Sequence, residues 1–141
     1  MAYRFIEHTA DIAVEIVSES IEKLFSDACT AWNESVIINH NPQFVDSKKF
    51  IFDALTKEEL LVDLLSELNF QLFTKKWVLT SVNNILLEKQ EDNFHLIVEI
   101  FGQPLNENDQ EIKVEIKAIT FHQLKIERKN NYYTTIIVFD I

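Results

Sequence analysis

The stretch Thr56-Lys57-Glu58-Glu59, followed by Leu60, Leu61, Leu64, Leu65, Leu68 and Leu72, constrains the fold more than any other part of this chain. Leucines three and four residues apart line one side of a helix, and that apolar stripe has to be covered. Thr56 and Glu59 form a capping box that starts the helix by satisfying its first backbone N–H groups. After Lys75-Lys76 the period changes from helical to alternating. Residues 77–90 and 94–101 read as strands, with Phe94, Leu96, Val98 and Ile100 on one face, and 111–119, 121–128 and 132–140 continue the pattern. The one glycine, Gly102, opens a polar loop from Gln103 to Gln110, and Asn130-Asn131 reads as a tight turn. The cover for the leucine stripe is therefore a sheet.

The first half of the chain repeats this logic on a smaller scale. Residues 2–7 and 11–17 alternate and read as two strands joined by Glu7-His8-Thr9-Ala10-Asp11. From Ser20, an N-cap, the residues Ile21, Leu24, Phe25, Ala28, Cys29, Trp32 and Val36 mark a second amphipathic helix, ended by Asn39-His40-Asn41-Pro42. Phe50, Ile51 and Phe52 suggest a short strand before the leucine helix. The expected fold class is α+β: two amphipathic helices packed on one face of a largely antiparallel sheet, in a single domain over 1–141.

Composition narrows the function. With 47% apolar residues, 141 residues suffice for a real core. A formal charge of −10 argues against tight, direct nucleic-acid binding, which depends on Lys and Arg displacing counterions from phosphates. No apolar run approaches the ~18 residues of a membrane span and nothing resembles a signal peptide, so a cytoplasmic protein is expected, with no membrane partner. A single cysteine, Cys29, lies on an apolar helix face and reads as a small buried hydrophobe. One glycine cannot supply a dinucleotide-binding or phosphate-cradling loop, and the zinc-protease, C-x-x-C and nucleophile-elbow patterns are missing. Those enzyme classes are set aside.

The best candidate for chemistry is a pair of acids. Asp140 follows Ile136 and Val138 in alternation, so a carboxylate ends an otherwise apolar strand face, where an unpaired charge calls for a cation or several donors. With Asp11 and the terminal carboxylate of Ile141 it could form an all-oxygen site for a hard cation. The alternative is a frayed terminal residue in water, and residue types alone leave both readings open. Asp63 and Glu67, four apart on the leucine helix, are a second and weaker acid pair.

Four stretches occur together in one order: Glu7-His8-Thr9-Ala10-Asp11, Leu61-Val62-Asp63-Leu64-Leu65-Ser66-Glu67-Leu68, Ile116-Lys117-Ala118-Ile119-Thr120-Phe121-His122 and Val138-Phe139-Asp140-Ile141. In order and spacing they resemble the archease family over essentially the whole chain. The resemblance implies a small acidic α+β protein, not itself an enzyme, that activates the GTP- and manganese-dependent RNA ligase of the RtcB type in tRNA splicing or RNA repair, promoting ligase guanylylation and multiple turnover. It implies a cation site at Asp11 and Asp140 with Ile141 as a third ligand, holding calcium foremost, with magnesium or manganese as alternatives. His8, Lys117, Thr120 and His122 fall on the other motif positions, as supports of that site or contacts to the ligase. Ala13, Leu64 and Ile112 stand where, or near where, the family usually has glycine, tryptophan and histidine. Two other classes compete: a small metal-dependent hydrolase with Asp11 and Asp140 as ligands and His8 or His122 as base, and a chaperone-like binding module with an exposed apolar patch.

Overall fold

The computed structural model describes residues 2–6, 11–121 and 124–141. Its elements run β1 (Tyr3–Ile6), β2 (Asp11–Ser18), α1 (Ile21–Val36), β3 (Ile37–Asn39), β4 (Asp46–Ala54), α2 (Lys57–Phe73), β5 (Trp77–Lys89), β6 (Phe94–Pro104), β7 (Gln110–Ile112), β8 (Ala118–Thr120), β9 (Glu127–Lys129) and β10 (Tyr132–Asp140). Both helices start where their caps place them. The Ser20 hydroxyl accepts from the Lys23 N–H at 3.1 Å and the Thr56 hydroxyl from the Glu59 N–H at 3.1 Å.

The class is α+β with antiparallel pairing throughout, but the strands are divided among three sheets. The largest has the order β1-β2-β10-β8, with β9 also paired to β10; β4-β6-β5 form the second, and β3 and β7 a third. Val14, Ile16, Ile137 and Phe139 from the first sheet, Leu96, Val98 and Ile100 from the second, and the stripes of both helices share one cluster of buried side chains. Cys29 is fully buried in it, and burial, followed by the nearby Asp27 carboxylate, raises its thiol pKa. No helix among the described residues is long and apolar enough to cross a membrane.

Several elements differ from the sequence expectation. Among the described residues, which leave out 122–123, the expected strands 111–119 and 121–128 shrink to β7, β8 and β9, because the described backbone between them finds other partners. The Lys113 N–H donates to the Val36 carbonyl at 2.7 Å, and the Ile126 N–H to the Glu58 carboxylate at 2.9 Å. β3 continues directly from α1 and pairs with β7 far along the chain, a contact too short and too remote to leave a periodic trace. The strand around Phe50 runs nine residues rather than three. Gly102 lies inside β6 and not at the mouth of a loop. Asn130 and Asn131 form the tight turn expected of them, with φ of 51° and 70°.

Candidate functional site

The β2–β10 ladder sets Asp11 directly opposite Asp140, and Ala118 of β8 flanks Asp140 on its other side. One row further in that shares this face, Ala13, Val138 and Thr120 line up across the same three strands. The side chains of these rows point away from the helices, since it is the alternate residues Ile12, Val14, Ile137 and Phe139 that pack into the core. The acid pair and Thr120 therefore share the outer face of the sheet, at the end of its two central strands. Val138 and Ala13 behind them are each 2% exposed, whereas Asp140 is exposed and Asp11 and Thr120 half-buried.

Asp140 is not frayed. It is in register with both neighbours, and its carbonyl accepts the Lys117 N–H at 2.7 Å. Lys117 is thus tied to the site through its backbone while its side chain stays exposed. Ile141 follows Asp140 and is 37% exposed. His8 and His122, with Glu7, Thr9 and Ala10, lie outside the described residues.

Carboxylates directly opposed on neighbouring strands have Cβ atoms about 5 Å apart and repel one another. A divalent cation removes that cost and suits the all-oxygen donor set. Among the described residues no group of three or more His, Cys, Asp or Glu side chains could hold a metal. The two opposed acids offer side-chain oxygens, the donor type that hard cations take.

Asn69 is the supporting residue that sequence reasoning missed. Its side-chain amide donates to the Ile116 carbonyl at 2.8 Å and accepts the Trp32 indole N–H at 3.2 Å. It thereby ties both helices to the segment that leads into Lys117 and β8. The trace in the sequence is one of two amides, with Gln71, beside the leucine stripe.

The other acid pair stays four residues apart on α2, but its two members have different surroundings. Glu67 accepts from the Gln71 amide at 2.9 Å, and Gln71 in turn accepts from Lys48 at 2.6 Å. Asp63 stays exposed, with its pKa raised from the ordinary 3.8 by partial burial and then by Glu59 one turn earlier. Of the remaining histidines, His95 sits in another sheet with its ring bonded to Asp53 at 2.7 Å, and His40 is exposed.

A model of the Archease protein family (MTH1598/TM1083) matches residues 3–141. The protein archease of Sulfurisphaera tokodaii is 28% identical, over 99% of this chain and 98% of its own length. That of Methanosarcina mazei is 26% identical over 99% and 95%. The solution structure of Methanobacterium thermoautotrophicum protein 1598 superposes with a TM-score of 0.84 at 21% identity, covering 99% of both chains, which speaks for the fold alone. The crystal structure of a Thermotoga maritima archease, described as a possible chaperone, has a TM-score of 0.58 at 26% identity and covers 96% of this chain and 94% of that one. With its helices, its paired terminal strands and a family match running from Tyr3 to Ile141, this chain belongs to the archease family.

Proposed function

We propose that this chain is a protein cofactor that activates a GTP- and manganese-dependent RNA ligase of the RtcB type, in tRNA splicing or RNA repair, and performs no covalent chemistry itself. The observation that carries the reading is the opposition of Asp11 and Asp140 at the end of the central strands. Two acids held by the ladder on an outer face can be presented to another protein without any rearrangement of the core. Asp11, Asp140 and the carboxylate of Ile141 would hold the cation, calcium foremost, with magnesium or manganese as alternatives. When bound, it supplies positive charge that neutralises the pair and accepts oxygen ligands from the partner. Thr120, on the same face, and Lys117, whose backbone fixes Asp140, orient this surface, and His8 and His122 support it or touch the ligase. An acidic exterior suits a basic partner surface, and the ligase keeps the nucleophile and the nucleotide chemistry.

The test is RNA ligation by a limiting amount of an RtcB-type ligase with GTP and manganese, titrated with this protein and its Asp11→Asn and Asp140→Asn variants. Wild type is expected to give multiple turnovers and each variant to lose most of that stimulation. Full stimulation by both variants would remove the acid pair from the mechanism. Ligation or nucleotide hydrolysis by the purified protein alone would bring the metal-dependent hydrolase reading forward.

A further inference from the structure

The sheet β4-β6-β5 buries one of its faces on the helices, where Phe50, Val98 and Ile85 form one row and Phe52, Leu96 and Leu87 the next. Its other face carries Ile51, Ile97 and Leu86 in a single row across all three strands. Ile51 is 57% exposed and Leu86 42%. Charged and amide groups flank this apolar row on both sides. Two residues along the strands one way stand Asp53, His95 and Glu88; the other way stand Lys49, Glu99 and Asn84.

We propose that this face docks a second copy of the same chain, sheet on sheet, about a two-fold axis running along the Ile51–Ile97–Leu86 row. That axis reverses the strand direction and lays each strand over its own counterpart. Lys49 then meets the partner's Asp53, Glu99 the partner's His95, and Asn84 the partner's Glu88, each reciprocally, while the apolar rows close on each other. The other simple two-fold, along the strands, would set Asp53 over Glu88 and Glu99 over itself. Like charges opposed in that way are unfavourable, so the charge pattern selects the first packing. Aligned sheet packing of this kind keeps strand directions within ~30° and separates the sheets by ~10 Å.

The dimer is weak. Three strands, the shortest of nine residues, present a face of roughly 400 Å², about half of what each partner contributes to a standard stable interface. The overall charge of −10 also repels a second copy, although salt confines that repulsion to ~8–10 Å. Association is therefore expected only at high concentration.

Sedimentation of the full chain up to about 1 mM tests this. Wild type is expected to move from monomer toward dimer, and Ile51→Asp and Leu86→Asp to raise the dissociation constant about tenfold or more. Lys49→Glu and Asp53→Lys, each alone, set like charges opposite one another and stay monomeric. Mixed in equal amounts, the two variants set the introduced glutamate of one against the introduced lysine of the other and retain the native Lys49–Asp53 pair at the opposite end, so dimer returns. The double variant Lys49→Glu/Asp53→Lys restores it within one chain, and circular dichroism of every variant confirms the fold. A wild type that stays monomeric throughout, a dimer indifferent to Ile51→Asp and Leu86→Asp, or binding of a basic apolar peptide to this face with no self-association would overturn the proposal. So would folded charge-swap variants that do not restore one another.

Discussion

Asp140 shows how much of the site rests on single residues. In a strand, a carboxylate directly opposite another is destabilising. Asp140→Asn is therefore expected to be slightly more stable than wild type in thermal denaturation with a chelator present. Calcium at about one hundred times its dissociation constant should add about 2.7 kcal/mol to wild type and little to the variant. Equal calcium responses from both proteins would place the cation elsewhere. Asp63 gives a second expectation, on pH. Its folded pKa lies above its ordinary value, so the folded state holds the proton longer and ionisation works against folding. Stability contributed at this position is lost as pH rises from the unfolded value through the folded one, and the loss is complete above both. Asp63→Asn should then be more stable than wild type at pH 7, by a few tenths of a kcal/mol given the exposure of the group. The difference should vanish below pH ~3.8, and a difference that persists there in chemical denaturation would point to packing instead. Both acids of the candidate site could be singled out from the sequence, Asp140 because it ends an otherwise apolar alternation and Asp11 because it stands at the bend between two alternating runs. Asn69 could not, because an amide that bridges an indole and a distant carbonyl looks like any other helix residue until the fold is known.

At the scale of elements, Gly102 marks a close approach rather than a turn. A Cβ there would lie 2.2 Å from the Val78 carbonyl oxygen and 2.4 Å from the Trp77 ring. That ring has little freedom to yield, since its indole N–H donates to Asp46 at 2.8 Å and the Lys48 ammonium sits 4.7 Å from its centroid. Gly102→Ala is expected to cost about 3 kcal/mol, with the midpoint of chemical denaturation as the measurement and a loss below about 1 kcal/mol as the refuting result. From the sequence, the residue reads as the opening of a loop, because glycine signals backbone freedom far more often than want of room. Helices were legible for the opposite reason: caps at Ser20 and Thr56 and apolar stripes are local, and local signals survive in one dimension. β7, β8 and β9 have three residues each. Alternation alone could not separate them from the described residues between, where the Lys113 N–H goes to the end of α1, the Lys117 N–H to the Asp140 carbonyl and the Ile126 N–H to the Glu58 side chain.

For the molecule as a whole, the candidate site depends on a pairing between the two ends of the chain. β2 and β10 are in register from Asp11 opposite Asp140 to Ser18 opposite Tyr133, so the acids face each other only when these two strands have paired. Sequence could propose the two acids but not that their strands are neighbours, because nothing local encodes which strands pair across the length of a chain. The charge of −10 acts at this same scale. A net field of that size steers a basic partner surface toward the protein from beyond contact distance, and salt shortens its reach from about 14 Å at 0.05 M to about 4 Å at 0.5 M. Steering changes encounter, whereas the contacts made after docking fix what the complex does. In the ligation assay, raising ionic strength over that range should therefore increase the concentration needed for half-maximal stimulation roughly tenfold, while stimulation at saturation stays the same once ligase-only rates at each salt are subtracted. A half-maximal concentration that does not move would mean that the acidic exterior serves only solubility. A fall at saturation with no change in the midpoint would locate the salt effect in the docked complex, at the acid pair itself.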